Sequence, residues 1–185
     1  MFKRLILISA TILFVAPAMA GAHEVRQTHY LATAKVYAPY EFLIGDWYTK
    51  LPEGNMVIHQ QFSWGPGKAS MNYMTYFNAP GREEHLHFGG FMAWNGKSRA
   101  VDYLFTVEPD SGVQEKGTFS VRPDGSVVRE VHETRPDGKV VENRQIFRKL
   151  ADGTISMDLL DRKPSGWASS LPAGQPIIMS PKRPE

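Results

Sequence analysis

From residue 46 onward the chain alternates. In 56–64, Met56, Ile58, Gln60, Phe62 and Trp64 fall on one side and Val57, His59, Gln61 and Ser63 on the other, which is the period of a β-strand. Within 99–108, Val101, Tyr103, Phe105 and Val107 share a side. In 69–77, Met71, Tyr73 and Phe77 stand against Met74 and Tyr76, so both sides are partly apolar. Turn signals interrupt this alternation about every 10–15 residues: Pro52-Glu53-Gly54-Asn55, Gly65-Pro66-Gly67, Pro80-Gly81, Asn95-Gly96, Pro109-Asp110-Ser111-Gly112, Pro123-Asp124-Gly125, Pro136-Asp137-Gly138 and Asp152-Gly153. Between them the pattern predicts strands at 46–51, 56–64, 69–77, 85–94, 99–108, 113–121, 126–134, 139–149 and 154–160. The later strands are more polar: Val127, Arg129 and Val131, then Val140, Glu142, Arg144 and Ile146, read as elements with a solvated face. His132 and Glu133 read as ordinary surface on the same grounds.

Before residue 46 the period is different. Residues 28–42 have Leu31, Ala34, Lys35 and Ala38 at helical spacing, with Thr28 as an N-cap and Pro39 as the stop or kink. Residues 41–48, Glu-Phe-Leu-Ile-Gly-Asp-Trp-Tyr, then lead into the first strand, where Gly45 permits a sharp entry and Trp47 is bulky enough to plug one end of a sheet. With no helix long enough for a crossover, the pattern predicts an all-β fold, either a pair of packed antiparallel sheets or an antiparallel up-and-down barrel of about 8–10 strands with a short N-terminal helix. The tail after Lys163 is rich in Pro, Ser and Gly, and Ile177, Ile178 and Met179 form a last short strand.

Length sets the domain count. At 185 residues the chain makes one domain, with 1–20 as a signal peptide, 21–45 as an N-terminal segment carrying the short helix, and 46–180 as the β-barrel domain. The first twenty residues run from Lys3 and Arg4 through an apolar stretch at 5–15 to Ala18-Met19-Ala20, the order of a cleaved secretory signal. That stretch is shorter than the roughly 20 residues that span a bilayer, so the expected localisation is periplasm or secreted, with no stable membrane anchor after cleavage. Removing the signal takes away two bases and no acid, which leaves equal numbers of bases and acids. No basic surface for nucleic acid is implied. Cysteine is absent, so an exported domain of this kind rests on its core alone, and no lipid acceptor stands beside the cleavage site.

The opening Gly45-x-Trp47, preceded by a short helix, resembles that of the lipocalin-like, or calycin, barrels. The chain is also similar to a group of bacterial exported proteins with an apolar-Gly-x-Trp opening and a following Phe62-Ser-Trp64-Gly65-Pro66-Gly67-Lys68. The likeness covers roughly 41–160. It implies a barrel that takes a small hydrophobic ligand, with Trp47 packed beneath Arg144 or Arg148; some calycin relatives are isomerases or cyclases. The disulfides and the later helix common in lipocalins have no counterpart here.

Candidate chemistry centres on His85-Leu86-His87. On one strand both imidazoles point the same way and could share a metal, with His59 or Glu83 as further ligands. The opposite side, with Leu86, Phe88, Met92 and Trp94, has the better claim to the interior unless a bulge at Gly89-Gly90 changes the phase. A cupin also carries His-x-His on a strand, but its following glutamate and second motif are missing here. No Gly-x-Ser-x-Gly elbow, thiol nucleophile, phosphate loop or dinucleotide fingerprint occurs. The candidate acid–base residues are His59, His85, His87, Asp102 and Tyr103, with Arg144 as a clamp for a carboxylate. No cofactor is expected. The function expected from these residues is a periplasmic binding or carrier protein for a small apolar or aromatic molecule. The alternatives are a lipocalin-like isomerase, cyclase or lyase acting on a small hydrophobic substrate, and a structural or interaction domain with a filled barrel.

Overall fold

The computed structural model describes residues 35–51, 55–171 and 174–184. The expected signal peptide and the first half of the expected helix, with Thr28 and Leu31, lie outside them. What is described of that helix is a helical turn at 35–37 that tightens into a 3₁₀ segment, Ala38–Leu43. Pro39 sits in its first turn, where a missing N–H costs no hydrogen bond. Tyr37, Tyr40 and Leu43 are buried. The Tyr40 hydroxyl donates to the Phe119 carbonyl at 2.9 Å, while that of Tyr37 donates to the Ala69 carbonyl and accepts from the Trp94 amide. The segment therefore plugs one end of the sheet. Gly45, at φ 136°, makes the turn out of it into the first strand.

The strands are β1 Gly45–Lys50, β2 Val57–Trp64, β3 Met71–Asn78, β4 His85–Asn95, β5 Ala100–Val107, β6 Val113–Val121, β7 Val127–Thr134, β8 Val140–Lys149, β9 Ile155–Lys163, β10 Gly166–Ser169 and β11 Ile177–Met179. Each of the nine expected strands is present, with shifted ends. β10, in the tail, was not foreseen. Every neighbour along the path from β1 to β10 is antiparallel, and β11 pairs with the first half of β9 while β10 pairs with its second half.

The expected barrel is not formed. The ladder from β1 to β10 has two ends, and among the described residues the one backbone pairing from β1 to the far side is an isolated bridge between Tyr48 and Ser180. A barrel removes its edges by a continuous ladder at the seam, and a single bridge does not supply one. The lipocalin-like assignment falls with it, and so does the ligand-holding calyx on which the carrier, isomerase and filled-barrel readings depended. Neither arginine expected over Trp47 takes that place. The Trp47 indole donates to the Leu43 carbonyl at 2.7 Å, whereas Arg144 and Arg148 pair with Glu130 and Asp158 on the outer face.

The sheet nevertheless has an inner face. Register carries it from Gln60 and Phe62 through Tyr73 and Thr75, Phe88 and Met92, Tyr103 and Phe105, to Glu115, Phe119, Arg129, Gln145 and Phe147. Phe62 stacks on Tyr73 at 4.0 Å and meets Phe119 and Phe147 edge-on, so the centre is a packed aromatic cluster. Gly117 marks the tightest approach. A Cβ there would lie 1.8 Å from the Glu130 carbonyl oxygen, which excludes any side chain between β6 and β7.

Candidate functional site

Three groups of polar side chains stand out, and each begins with a feature of strand pairing. The first is at the rim of the inner face. β3 and β4 run in register until Thr75 pairs with Phe88; the next pair is Tyr76 with Leu86, so His87 is an extra residue in β4. This bulge lies two residues before the expected Gly89-Gly90. It changes the phase as a bulge must. Phe88 faces inward beyond it and His85, paired with Phe77, faces inward before it. The glycines serve close packing instead: a Cβ on Gly90 would meet the Leu104 carbonyl oxygen at 2.3 Å.

The bulged His87 is held from three sides. Phe77 stacks on its ring at 4.1 Å, with 20° between the planes. Phe88 meets the ring edge-on at 5.6 Å. Nδ1 lies 3.2 Å from a Glu108 carboxylate oxygen, and the Glu108 amide donates to the His87 carbonyl at 2.6 Å, so backbone and side chain of the two residues are fixed together. With Nδ1 donating to the carboxylate, the neutral ring keeps Nε2 as a free lone pair. No protein group among the described residues bonds that nitrogen. His87 is three-quarters covered and Glu108 is largely exposed, so water reaches the dyad. His85 is exposed beside it and touches Phe77 edge-on.

The second group lies deeper. Arg129 is wholly buried, with its guanidinium 4.9–5.9 Å from the centres of the Tyr73, Phe88, Tyr103, Phe105 and Phe119 rings. It donates to the Glu115 carboxylate and, at 3.0 Å, to Gln145. Burial alone would lower the Arg129 pKa, but Glu115, with Tyr103 and Tyr73 behind it, more than offsets this and the guanidinium stays charged. Beside it the Tyr73 hydroxyl donates to Gln60 at 2.9 Å. Burial pushes Tyr73 and Tyr103 up to about 12, so both remain neutral phenols. The Tyr103 hydroxyl is committed to the Glu130 carbonyl. Thr75 Oγ1 and Arg129 Nε are buried without a partner.

The third group is on the outer face. His59 lies between Tyr48 and Tyr76, 4.5 and 5.2 Å away and nearly parallel to both. Its Nε2 is 2.9 Å from Asp46 and its Nδ1 2.7 Å from Glu84. The His59 contact, helped by Gln61, draws the Asp46 carboxyl below the ordinary range. Asp102 accepts from Asn95 at 2.6 Å on the same face, and Arg144 pairs with Glu130 at 2.5 Å while lying 4.2 Å from the centre of the Trp167 indole.

The five expected acid–base residues and the expected clamp Arg144 are thus dispersed. The structure brings His85 and His87 together, leaves Tyr103 in the Arg129 cage, and places His59, Asp102 and Arg144 on the outer face. His59 lies on the opposite face of the sheet from His85, although only β3 separates their strands, and among the described residues no three metal-ligating side chains converge. Glu108, Glu115 and Arg129 are not flagged by the sequence alone. Glu108 follows the strand that pairs with β4 and becomes a partner only through the turn that follows. For Arg129 the signal was its place between Val127 and Val131 on one strand face. Among the described residues no helix is long and apolar enough to cross a membrane. No protein-family model matches the sequence, and no curated protein is similar to it at a significant level.

Proposed function

We propose that the protein is an acid–base enzyme whose working group is the His87–Glu108 dyad, and that it hydrolyses a small acyl compound reaching the rim from solvent. The observation that carries the reading is His87 itself. Its ring is fixed by stacking, one nitrogen is engaged by a carboxylate, and the other meets no protein group. A carboxylate on Nδ1 sets the tautomer and stabilises the imidazolium formed when Nε2 takes a proton. The rim is wet, and the chain contains no thiol and no Gly-x-Ser-x-Gly elbow, so the nucleophile that suits this base is water. Phe77 and Phe88 supply an apolar wall against which the substrate lies. The N-terminal leader in the sequence supports an exported enzyme.

Hydrolysis of p-nitrophenyl acetate and of a set of simple lactones tests this. His87→Gln should lower kcat/KM by about 10²-fold or more, the scale of general-base catalysis. Glu108→Gln should lower kcat with KM little changed, because Glu108 orients the base and does not hold the substrate. His85→Gln, exposed and without the carboxylate, should retain activity. A wild-type rate no higher than that of His87→Gln would overturn the reading.

A further inference from the structure

The C-terminal segment meets β1 at few points, and most of them converge on His59. The Tyr48 and Ser180 backbones exchange two hydrogen bonds at 2.8 and 2.9 Å, and the Thr49 hydroxyl donates to the Ile178 carbonyl at 2.9 Å. Beyond the bridge, Arg183 reaches back to the Glu84 carboxylate at 3.5 Å, and its guanidinium lies 5.9 Å from the centre of the Tyr48 ring. Glu84 is the carboxylate on His59 Nδ1, and Tyr48 is one of the two rings enclosing His59. Four chain segments therefore share one junction: β1 through Asp46 and Tyr48, β2 through His59, the loop before β4 through Glu84, and the C-terminal segment through Arg183. Tyr76 of β3 closes the other side.

We propose that residues 177–183 form a strap latched across the open seam between β9 and β1, and that His59 is its latch. The inference is independent of the activity proposed above. Both imidazole nitrogens face carboxylates, so both contacts are hydrogen bonds only while both nitrogens carry hydrogen. When the ring loses one proton, one carboxylate faces a bare lone pair and is repelled. The charged and titratable groups around the ring are Asp46, Glu84, Tyr48 and Tyr76, with Arg183 acting through Glu84. Asp46 keeps Gln61 as a second donor at 3.0 Å, while among the described residues Glu84 has Arg183 alone besides His59, at 3.5 Å, so Glu84 is the partner that turns away. Its departure takes the carboxylate from Arg183 and leaves the strap on the Tyr48–Ser180 bridge, the Thr49 hydroxyl and the remaining Arg183 contacts, with the Asn78 side-chain oxygen at 2.6 Å and with the Tyr48 ring. The latch therefore holds on the acidic side of the ring's titration and loosens on the alkaline side.

Amide hydrogen exchange of the full chain reads this directly. Tyr48 and Ser180 are compared with amides of the β7–β8 ladder, which correct for the intrinsic pH dependence of exchange. From a mildly acidic to a mildly alkaline buffer, the exchange of Tyr48 and Ser180 relative to the ladder should rise about tenfold. Arg183→Gln, an exposed change that leaves β2 intact, should produce the fast exchange already at the acidic end. His59→Gln should remove the pH dependence. If Tyr48 and Ser180 exchange at the ladder's own rate in every variant and at both pH values, the seam opens only on global unfolding and the latch does not exist.

Discussion

Arg129 carries a full charge through the middle of an aromatic core because Glu115 stands beside it on the neighbouring strand. A buried ion pair contributes little net stability, but breaking it by removing one partner leaves the other charge uncompensated. Glu115→Gln should therefore destabilise the fold by about 3–5 kcal/mol, whereas the paired change Arg129→Met with Glu115→Gln should cost less than Glu115→Gln alone. Denaturant unfolding of the wild type and the two variants checks this. A double variant as unstable as the single one would mean that the cage, and not the charge, sets the cost. Thr75 gives the opposite sign. Its hydroxyl is buried without a partner, so Thr75→Val removes a desolvated polar group at nearly constant volume and should stabilise the fold by about 1 kcal/mol. Neither effect is legible in the sequence. Arg129 between Val127 and Val131 reads as a charge on a solvated face until Glu115, fourteen residues away in the chain, is seen opposite the same core.

At the scale of the element, strands and turns were legible because alternation and the Pro-Asp-Gly and Asn-Gly signals are local. Asp124 shows how local they are. Its carboxylate accepts from the Ser126 amide at 2.9 Å, and the same arrangement recurs at Asp137 with Lys139 and at Asp152 with Thr154. The bulge at His87 was anticipated in kind but displaced by two residues, since an extra residue in β4 is defined only against its partner β3. That displacement decides the chemistry. It is what puts His85 and Phe88 on the same face. The glycines of β4 and β6 were legible as residues but not as contacts. Gly117→Ala would press a methyl group into the Glu130 carbonyl, and β6 and β7 can relieve this only by parting. The expected cost is about 3 kcal/mol, at the upper end for overpacking, and a fall in Tm of well over 5 °C measures it. Gly125→Ala meets no atom, so it carries only the strain of its φ of 80° and should cost less.

At the scale of the molecule, the nine strands of the meander and their antiparallel order followed from the sequence, and β10 and closure did not. Closure depends on where the tail returns, and only Ile177, Ile178 and Met179 signalled a strand there. The resulting open sheet leans on its short turns and its seam, and both are tied by carboxylates that lie below their ordinary pKa. Asp46 is drawn down first by His59, Asp124 by Ser126, Asp152 by Thr154, and Asp161 by Ser170 and then Lys163. In each case the folded state binds its proton later than the unfolded chain. The contribution is therefore complete above the unfolded value near 3.8 and is lost as the pH falls through the folded values. Thermal melts should show a Tm that is flat down to about pH 5 and falls below about pH 4. Asp124→Asn with Asp152→Asn tests the turns, and Asp46→Asn tests the seam; each should lower the Tm at neutral pH and flatten the acid limb. Because the seam holds one backbone bridge among the described residues, the Asp46 variant should also lose the protection of Ser180 before any loss at β7 and β8. Equal slopes in wild type and both variants would place the acid sensitivity elsewhere, with the buried Glu115 as the next carboxylate to replace.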